Sequence, residues 1–257
     1  MFLPLTLLAY ASLIAAEPKI LLCSDSTAAN YNSSRVLQGW GYYAPAYFTI
    51  PLINLAANGR STRRFINEGR WSSLLNQTLA GDFVIIEMGH NDEADPTLGG
   101  KYADRGTIAG LGNETVVVTM TTGEKDTVHT YGWYLRSMIA DVRAKEAVPV
   151  LSGQVPRMYF EEGVLQAEWP FAEYTRQQAE ASRVEYLDHT LYSVDAFQAM
   201  GEEAAMKLYP EDKTHTGAEG AKVNAETFVE AVQCQGNSQL LAYLNSKGRG
   251  VKASCRN

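Results

Sequence analysis

Short apolar runs alternate along this sequence with longer stretches in which apolar residues recur at helical spacing. The apolar runs have the length and composition of strands that are buried on both faces of a parallel sheet. They lie at residues 19–23, 53–56, 83–87, 148–152 and 184–187. The helical stretches lie at residues 131–145, 169–182 and 218–232. This alternation predicts an α/β fold, a doubly wound three-layer sandwich with a central parallel sheet.

One segment, residues 92–126, interrupts the alternation and is rich in Gly and Thr. Residues 114–120 within it have strand character, so we interpret the segment as an insertion that forms a small hairpin after the third strand. No linker composition divides the rest of the sequence. We therefore expect a single domain over residues 17–257.

The first sixteen residues, Met1 to Ala16, are apolar and carry no charged side chain. Ala15 and Ala16 are small enough for a cleavage point, and charge begins at Glu17. The segment therefore predicts a signal peptide over residues 1–16 and a secreted, extracellular protein. A membrane anchor is the alternative interpretation, but the segment is shorter than the ~20 residues that cross a bilayer.

The cysteines and the glycosylation motifs suit an extracellular protein. Two of the three cysteines, Cys234 and Cys255, lie in the C-terminal tail, and we expect them to form a disulfide. Closing a loop of about 20 residues would contribute on the order of 3 kcal/mol to stability. Cys23 ends an apolar run, which predicts a buried free thiol. The candidate glycosylation sites are Asn32, Asn76 and Asn113.

The charge of the chain bears on its partners. The formal net charge is −7, the isoelectric point is near 5.2, and there is no basic run. Such an acidic chain is a poor candidate for nucleic acid or anionic membranes, so we expect neither partner. The four histidines show no His-x-x-x-His or His–Cys spacing, so we expect no metal and no cofactor. We expect a monomer.

Polar or flexible residues follow each of the first three predicted strands. In a doubly wound sheet, ligands bind outside the carboxyl ends of the strands. Ser26 follows the first strand, Gly59 the second and Asn91 the third. We interpret Ser26 as a nucleophile, which near neutral pH needs a base to take its proton. The Ser26 N–H, the Gly59 N–H and the Asn91 amide are candidate donors to an oxyanion.

An Asp-x-x-His motif near the C-terminus, Asp212 and His215, supplies a candidate base and its orienting carboxylate. An Asp three residues before a His lies on the same turn and can reach the imidazole Nδ1, which leaves Nε2 for a serine. An isolated motif of this kind more often indicates a loop ion pair. The groups at the strand ends favour the catalytic interpretation, a triad of Ser26, His215 and Asp212.

Together these motifs resemble the SGNH hydrolase superfamily, also called GDSL hydrolases. The matching blocks are Ser24-Asp25-Ser26, Gly59, Gly89-x-Asn91-Asp92 and Asp212-x-x-His215. Ser24 stands where that superfamily usually has glycine. The resemblance implies a flavodoxin-like fold and a serine esterase that works through an acyl-enzyme.

Within that superfamily the sequence is similar to the fungal-type rhamnogalacturonan acetylesterases. The similar stretches are residues 24–29, 58–63, 184–189 and 212–216, and the likeness is weakest over residues 93–128 and 158–168. The tail from Cys234 to Cys255 also matches that family's closing disulfide. The resemblance implies removal of acetyl groups from the acetylated galacturonate of rhamnogalacturonan in pectin. The expected partner is therefore an acetylated polysaccharide.

Two other functions fit the same residues. One is an acetylesterase of the same superfamily that acts on xylan or another polysaccharide. The other is a non-catalytic carbohydrate-binding protein of the cell wall that keeps the fold. The absence of a Gly-x-Ser-x-Gly motif argues against a classical α/β-hydrolase. We interpret His129 and His189 as structural residues and the tryptophans as core packing.

Overall fold

The computed structural model describes residues 17–256, so the predicted signal peptide at residues 1–16 lies outside the described residues. The strands in this range are β1 Ile20–Ser24, β2 Leu52–Asn54, β3 Phe83–Glu87, β4 Thr115–Thr119, β5 Lys125–His129, β6 Val148–Ser152, β7 Phe160–Glu161, β8 Val164–Leu165 and β9 Glu185–Leu187. The α-helices are α1 Thr62–Asn67, α2 Arg70–Leu75, α3 Gly100–Arg105, α4 Tyr131–Ala144, α5 Pro170–Ser182, α6 His189–Met200, α7 Glu202–Met206, α8 Ala218–Cys234 and α9 Ser246–Arg249. Short 3-10 helices lie at Trp40–Tyr42, Ala44–Tyr47, Pro96–Leu98 and Gln239–Tyr243.

Five strands form a parallel sheet in the order β2-β1-β3-β6-β9. The chain starts at β1, moves outward to β2, and then crosses back to β3 on the other side of β1. The central pair stays in register from Ile20 opposite Phe83 to Ser24 opposite Glu87. Helices cover both faces of the sheet. The predicted doubly wound α/β sandwich is confirmed, with the strand order of flavodoxin-like folds.

The central strands are buried on both faces because successive residues of a strand point to opposite sides of the sheet. Leu22 packs in the cluster that α8 closes with Phe228. Its neighbour Leu21 packs in the opposite cluster, which α4 closes with Leu135. Each such side chain contributes about 1.5–3 kcal/mol when it leaves water. Two packed layers therefore hold the carboxyl ends of the strands in fixed positions.

A buried polar network lies at the end of β3. Glu87 Oε1 accepts a hydrogen bond from Trp40 Nε1 at 2.9 Å, and Oε2 accepts one from Ser152 Oγ at 2.6 Å. His189 Nδ1 lies 2.8 Å from the same Oε2, and its Nε2 lies 2.8 Å from the carbonyl of Asn224. A carbonyl can only accept, so His189 Nε2 carries a proton. These bonds satisfy polar groups that would otherwise destabilise the core, which is a structural role for His189.

The insertion after β3 contains the predicted hairpin, in which β4 and β5 pair antiparallel. It also contains α3, which the sequence pattern did not indicate. The insertion is tied back to its own base, since Thr107 N donates to Asp92 O at 3.1 Å and Ile108 N donates to His129 O at 3.0 Å. These bonds hold α3 beside the loop that follows β3.

The cysteines are arranged as the sequence indicated. A disulfide joins Cys234, at the end of α8, to Cys255, with the two Cα atoms 5.1 Å apart. Cys23 is a buried free thiol. Its burial, together with the nearby carboxylates of Asp92 and Asp25, raises the pKa of the thiol well above its ordinary value. A thiol that stays protonated is a poor nucleophile, so Cys23 is chemically inert.

In the described part of the chain, no helix combines the length and apolar character needed to cross a membrane.

Candidate active site

The loop after β1 is fixed by the carboxylate of Asp25. Asp25 Oδ1 accepts hydrogen bonds from the Thr27 N–H and hydroxyl, both at 2.9 Å. The carbonyl of Asp25 accepts from the N–H groups of Ala28 and Ala29. This turn places Ser26, which is 8 % exposed, at the carboxyl edge of the sheet.

Ser24 replaces the glycine usual in this block without disturbing the turn. It belongs to β1 and pairs with Glu87, so its backbone is extended, a conformation that any residue adopts. Its side chain is buried, and its hydroxyl has no hydrogen-bond partner among residues 17–256.

Three side chains form a continuous hydrogen-bonded chain. Ser26 Oγ lies 2.8 Å from His215 Nε2, and His215 Nδ1 lies 2.7 Å from Asp212 Oδ2. An ionised carboxylate only accepts, so Nδ1 carries the imidazole proton and Nε2 is free to accept from Ser26. A serine in this arrangement can lose its proton to the imidazole as it attacks an ester. The three residues that the sequence predicted as a triad are therefore brought together.

Asp212 is held in place by the turn that precedes His215. Its Oδ1 accepts from the Thr214 N–H at 2.7 Å and from the His215 N–H at 2.8 Å. Burial raises the pKa of Asp212, but the hydrogen bonds from the His215 ring and from these N–H groups outweigh it, so the net pKa is lowered. Asp212 is therefore ionised at neutral pH, and its charge can stabilise the imidazolium that would form when His215 takes a proton.

Gly59 and Asn91 lie on the other two strand-end loops. Gly59 has φ +74°, a left-handed conformation, and a Cβ there would meet no atom within 4 Å. The backbone conformation, rather than a lack of room, therefore favours glycine at this position. Asn91 is buried, and its Nδ2 donates to the carbonyl of Arg60 at 3.2 Å.

Arg105 holds the amide of Asn91 in one orientation. Arg105 Nη1 donates to Asn91 Oδ1 at 3.2 Å, so the amide oxygen must face the guanidinium. The Asn91 NH₂ group then keeps one N–H besides the one bonded to Arg60. Arg105 ends α3, which belongs to the insertion. No sequence pattern marks Arg105. Its contact with Asn91 joins residues that are 14 positions apart, in a segment whose apolar residues follow no clear spacing.

Asp92 ties the loop after β3 to the start of α1. It is fully buried, and its Oδ1 accepts from the Thr62 hydroxyl at 2.5 Å and the Thr62 N–H at 3.1 Å. Burial raises the pKa of Asp92 to about 8, although the bonds from Thr62 oppose this; the charge of Asp25 adds to the rise. The carboxyl group therefore keeps its proton in the folded protein over much of the neutral range.

Asp92→Asn is expected to change how stability depends on pH. Between the ordinary pKa near 3.8 and the folded pKa of about 8, the unfolded state has lost a proton that the folded state keeps. The contribution of Asp92 to the free energy of unfolding is therefore fully present in acid and is lost as the pH rises. Relative to the variant, the wild type should lose roughly 1.4 kcal/mol of unfolding free energy per pH unit between about pH 5 and 7. Urea unfolding at three pH values measures this, and a difference that does not vary with pH would contradict it.

Arg157 connects the loop after β3 with the loop of His215. Its guanidinium donates to Thr214 Oγ1 at 2.5 Å, to the His90 carbonyl at 3.1 Å and to Glu93 Oε1 at 2.8 Å. No sequence motif marks Arg157 as a site residue. The signal that could have found it is its position in the segment after β6, at the same carboxyl edge as the other strand-end residues.

The structure also locates two of the tryptophans and the candidate glycosylation sites. Trp40 stacks on Phe228 in the core, with ring centroids 4.8 Å apart, as core packing predicts. Trp133 stacks on His129 at 3.9 Å. The glycosylation candidates are all exposed, and they are Asn32, Asn76 and Asn113.

Two further features of the structure bear on ligand binding. Within residues 17–256, no group of three or more His, Cys, Asp or Glu side chains is arranged to hold a metal ion. A cavity of about 620 Å³ beside the end of β9 is lined in part by Trp169, Tyr186 and Asp188, but by neither Ser26 nor His215. We place the reactive centre at Ser26 because ester chemistry needs a nucleophile with its base, and volume alone provides neither.

Known proteins are similar to this chain in sequence and in fold. The GDSL-like Lipase/Acylhydrolase family matches residues 25–223. A rhamnogalacturonan acetylesterase of Emericella nidulans is 34% identical over 86% of this chain and 87% of its own length. A probable rhamnogalacturonan acetylesterase of Bacillus subtilis is 28% identical over 83% of this chain and 92% of its own length.

Solved structures agree with the fold. The crystal structure of the Bacillus subtilis protein YxiM superposes with a TM-score of 0.69 at 24% identity, over 86% of this chain and 57% of that chain. The fold and the family match define the class of protein, a carboxylic ester hydrolase. The chain belongs to the GDSL-like Lipase/Acylhydrolase family, as its motifs predicted.

Proposed function

We propose that this protein is a secreted serine esterase that removes acetyl groups from the acetylated galacturonate of rhamnogalacturonan. The observation that carries the proposal is the chain from Ser26 through His215 to Asp212, with distances of 2.8 and 2.7 Å. The names of the two curated relatives support the polysaccharide substrate. The apolar leader and the disulfide support secretion.

The first half of the reaction forms an acetyl-enzyme. Ser26 Oγ attacks the acetyl carbonyl carbon while His215 Nε2 takes the hydroxyl proton. The carbonyl oxygen becomes an oxyanion, which accepts hydrogen bonds from the Ser26 N–H, the Gly59 N–H and the free N–H of Asn91. The C–O bond to the sugar then breaks, and the sugar oxygen leaves with the proton from His215.

The second half returns the enzyme to its starting state. Water attacks the acetyl-enzyme carbonyl and gives a proton to His215 Nε2. The bond between the acetyl carbon and Ser26 Oγ breaks, Ser26 regains its proton, and acetate leaves. Asp212 stays ionised throughout and stabilises the imidazolium that forms twice in each cycle.

Arg105→Leu is expected to lower kcat about tenfold, with a smaller change in KM. Without the guanidinium, the Asn91 amide can rotate and present its oxygen, which repels an oxyanion. Asn91→Ala sets the upper limit of the effect, about 10²–10³ in kcat. Hydrolysis of 4-nitrophenyl acetate measures both variants, and Arg70→Leu, an exposed change, is the control.

A double-mutant cycle separates this role from a general structural effect. If Arg105 acts through Asn91, then adding Arg105→Leu to the Asn91→Ala variant should lower kcat only slightly further. Effects that simply add would contradict the positioning role.

The substrate is tested by acetate release from acetylated rhamnogalacturonan, acetylated xylan and a long-chain acyl ester. We expect the highest kcat/KM on rhamnogalacturonan. A preference for xylan would instead favour the related acetylesterase function. Labelling with an organophosphate tests the non-catalytic alternative, because an unreactive Ser26 would support a binding protein.

N-terminal sequencing of the secreted chain should find Glu17 first, and a chain that still begins at Met1 would contradict the signal peptide.

A further inference from the structure

The segment between β6 and α5 carries an exposed aromatic ring to the side of the His215 loop. Tyr159 is 43 % exposed, although it is a large aromatic residue. The ammonium of Lys213 lies 5.7 Å from the centre of its ring. The backbone fixes the two segments together, since Met158 N donates to Lys213 O at 2.8 Å. Lys213 itself directly follows Asp212, so the Tyr159–Lys213 pair borders the proposed reactive centre.

The Tyr159 ring rests on a rigid base. It stacks on Trp169 with ring centroids 6.0 Å apart and an angle of 28°. Trp169 is 5 % exposed, and its Nε1 donates to the Gln166 carbonyl at 3.2 Å. The ring of His90, the residue before Asn91, lies 6.4 Å from Trp169. These aromatic rings therefore connect the loop of His90 with the loop that carries Lys213.

The positive charge of Lys213 faces the Tyr159 ring and has no carboxylate partner within the described structure. The neighbouring cations are paired, Arg157 with Glu93 and Arg35 with Glu211. Across residues 17–256, no carboxylate lies within ion-pair distance of Lys213. The Lys213 ammonium favours an anionic group at this point of the surface.

An aromatic face beside a cation matches one kind of sugar. The C–H face of a pyranose packs on an aromatic ring, and a carboxylate on the same sugar pairs with an ammonium. We propose that Tyr159 and Lys213 form a subsite for a second uronate residue of the acetylated polymer. This proposal rests on the proposed esterase function of Ser26. It assigns the preference for an acidic polymer to Tyr159, in the segment after β6, and to Lys213, within the Asp212-x-x-His215 block.

The test uses one acetylated pectic polymer in two forms, with its carboxyl groups free or methyl-esterified. The two forms share sugars and acetyl esters but differ in charge, so the ratio of their kcat/KM values reports charge recognition. In the wild type the free form should be preferred, and salt should reduce the preference. Lys213→Gln should reduce the ratio about fivefold through KM, the scale of one exposed ion pair. Lys213→Arg should keep the ratio.

Two further variants complete the design. Tyr159→Ala should raise KM about fivefold on both forms, because the ring contacts the sugar rather than the charge. Lys145→Gln removes the same charge from the end of α4, next to the amino end of β6, and should keep the wild-type ratio.

Two results in the variants would overturn the subsite. They are an unchanged ratio in Lys213→Gln, which includes an equal loss on both polymers, and an equal drop in the ratio for Lys145→Gln. An enzyme that releases no acetate from either polymer would instead contradict the proposed function itself. An active enzyme without charge preference contradicts only the subsite.

Discussion

Ser26→Ala is expected to reduce acetate release by roughly 10⁵-fold or more, because no other group can form the acetyl-enzyme. The change removes one oxygen whose side-chain partner is His215, so the fold should be retained. Initial rates on acetylated rhamnogalacturonan and on 4-nitrophenyl acetate measure the loss. Urea unfolding should differ from wild type by less than about 1 kcal/mol.

A neighbouring serine provides the matched control. Ser24→Ala removes a hydroxyl two residues away that is buried and has no partner in the described range. It should keep activity within a few-fold of wild type. If Ser26→Ala retained substantial activity, the nucleophile would have to be another residue.

Asp212→Asn is expected to lower kcat by about 10³–10⁴-fold while the loop keeps its shape. The amide oxygen of Asn can still accept from the N–H groups of Thr214 and His215, so the turn survives. The ionised acceptor for His215 Nδ1 is lost, and with it the fixed tautomer. The side chain of Asp212 is 46 % exposed, so screening by water favours the lower end of this range.

Steady-state kinetics from pH 5 to 9 test this variant. Because the pKa of Asp212 is lowered, Asp212 should stay ionised in the wild type throughout this range. Glu211→Gln is the control, since it removes the adjacent exposed carboxylate that pairs with Arg35. It should change kcat less than twofold. A loss of less than tenfold in Asp212→Asn would mean that the carboxylate does not orient the base.

The local pattern of the sequence predicted most of the sheet. Residues 83–86 are apolar at every position, which indicates a strand that is covered on both faces. Predicted and observed ends coincide for β3 and β6, and the ends of the other predicted strands differ by at most two residues. At β2 the reason is visible, because Asn54 bonds to the carbonyl of Ala28 and to the N–H of Ala56, which ends the regular pairing.

Elements that lack a strong period of their own were missed. The pair β7–β8 has only two residues in each strand, and α6 begins with His189, whose place in the core depends on Glu87. The apolar residues near these elements do not recur at a clear helical or strand spacing. Their conformation is stabilised by contacts with distant segments, which a local reading of the sequence does not contain.

Residue type and order by themselves determined the fold class and the candidates Ser26, Gly59, Asn91, Asp212 and His215. Each candidate follows a strand or forms a short turn, and such positions are local properties of the chain. Only the tertiary structure decided which groups surround them. Arg105 reaches Asn91 from the insertion, Arg157 joins two loops, and Lys213 meets Tyr159 across 54 residues. Long side chains from separate segments meet only after the sheet has packed, because distance in space is set by the whole fold and not by spacing along the chain.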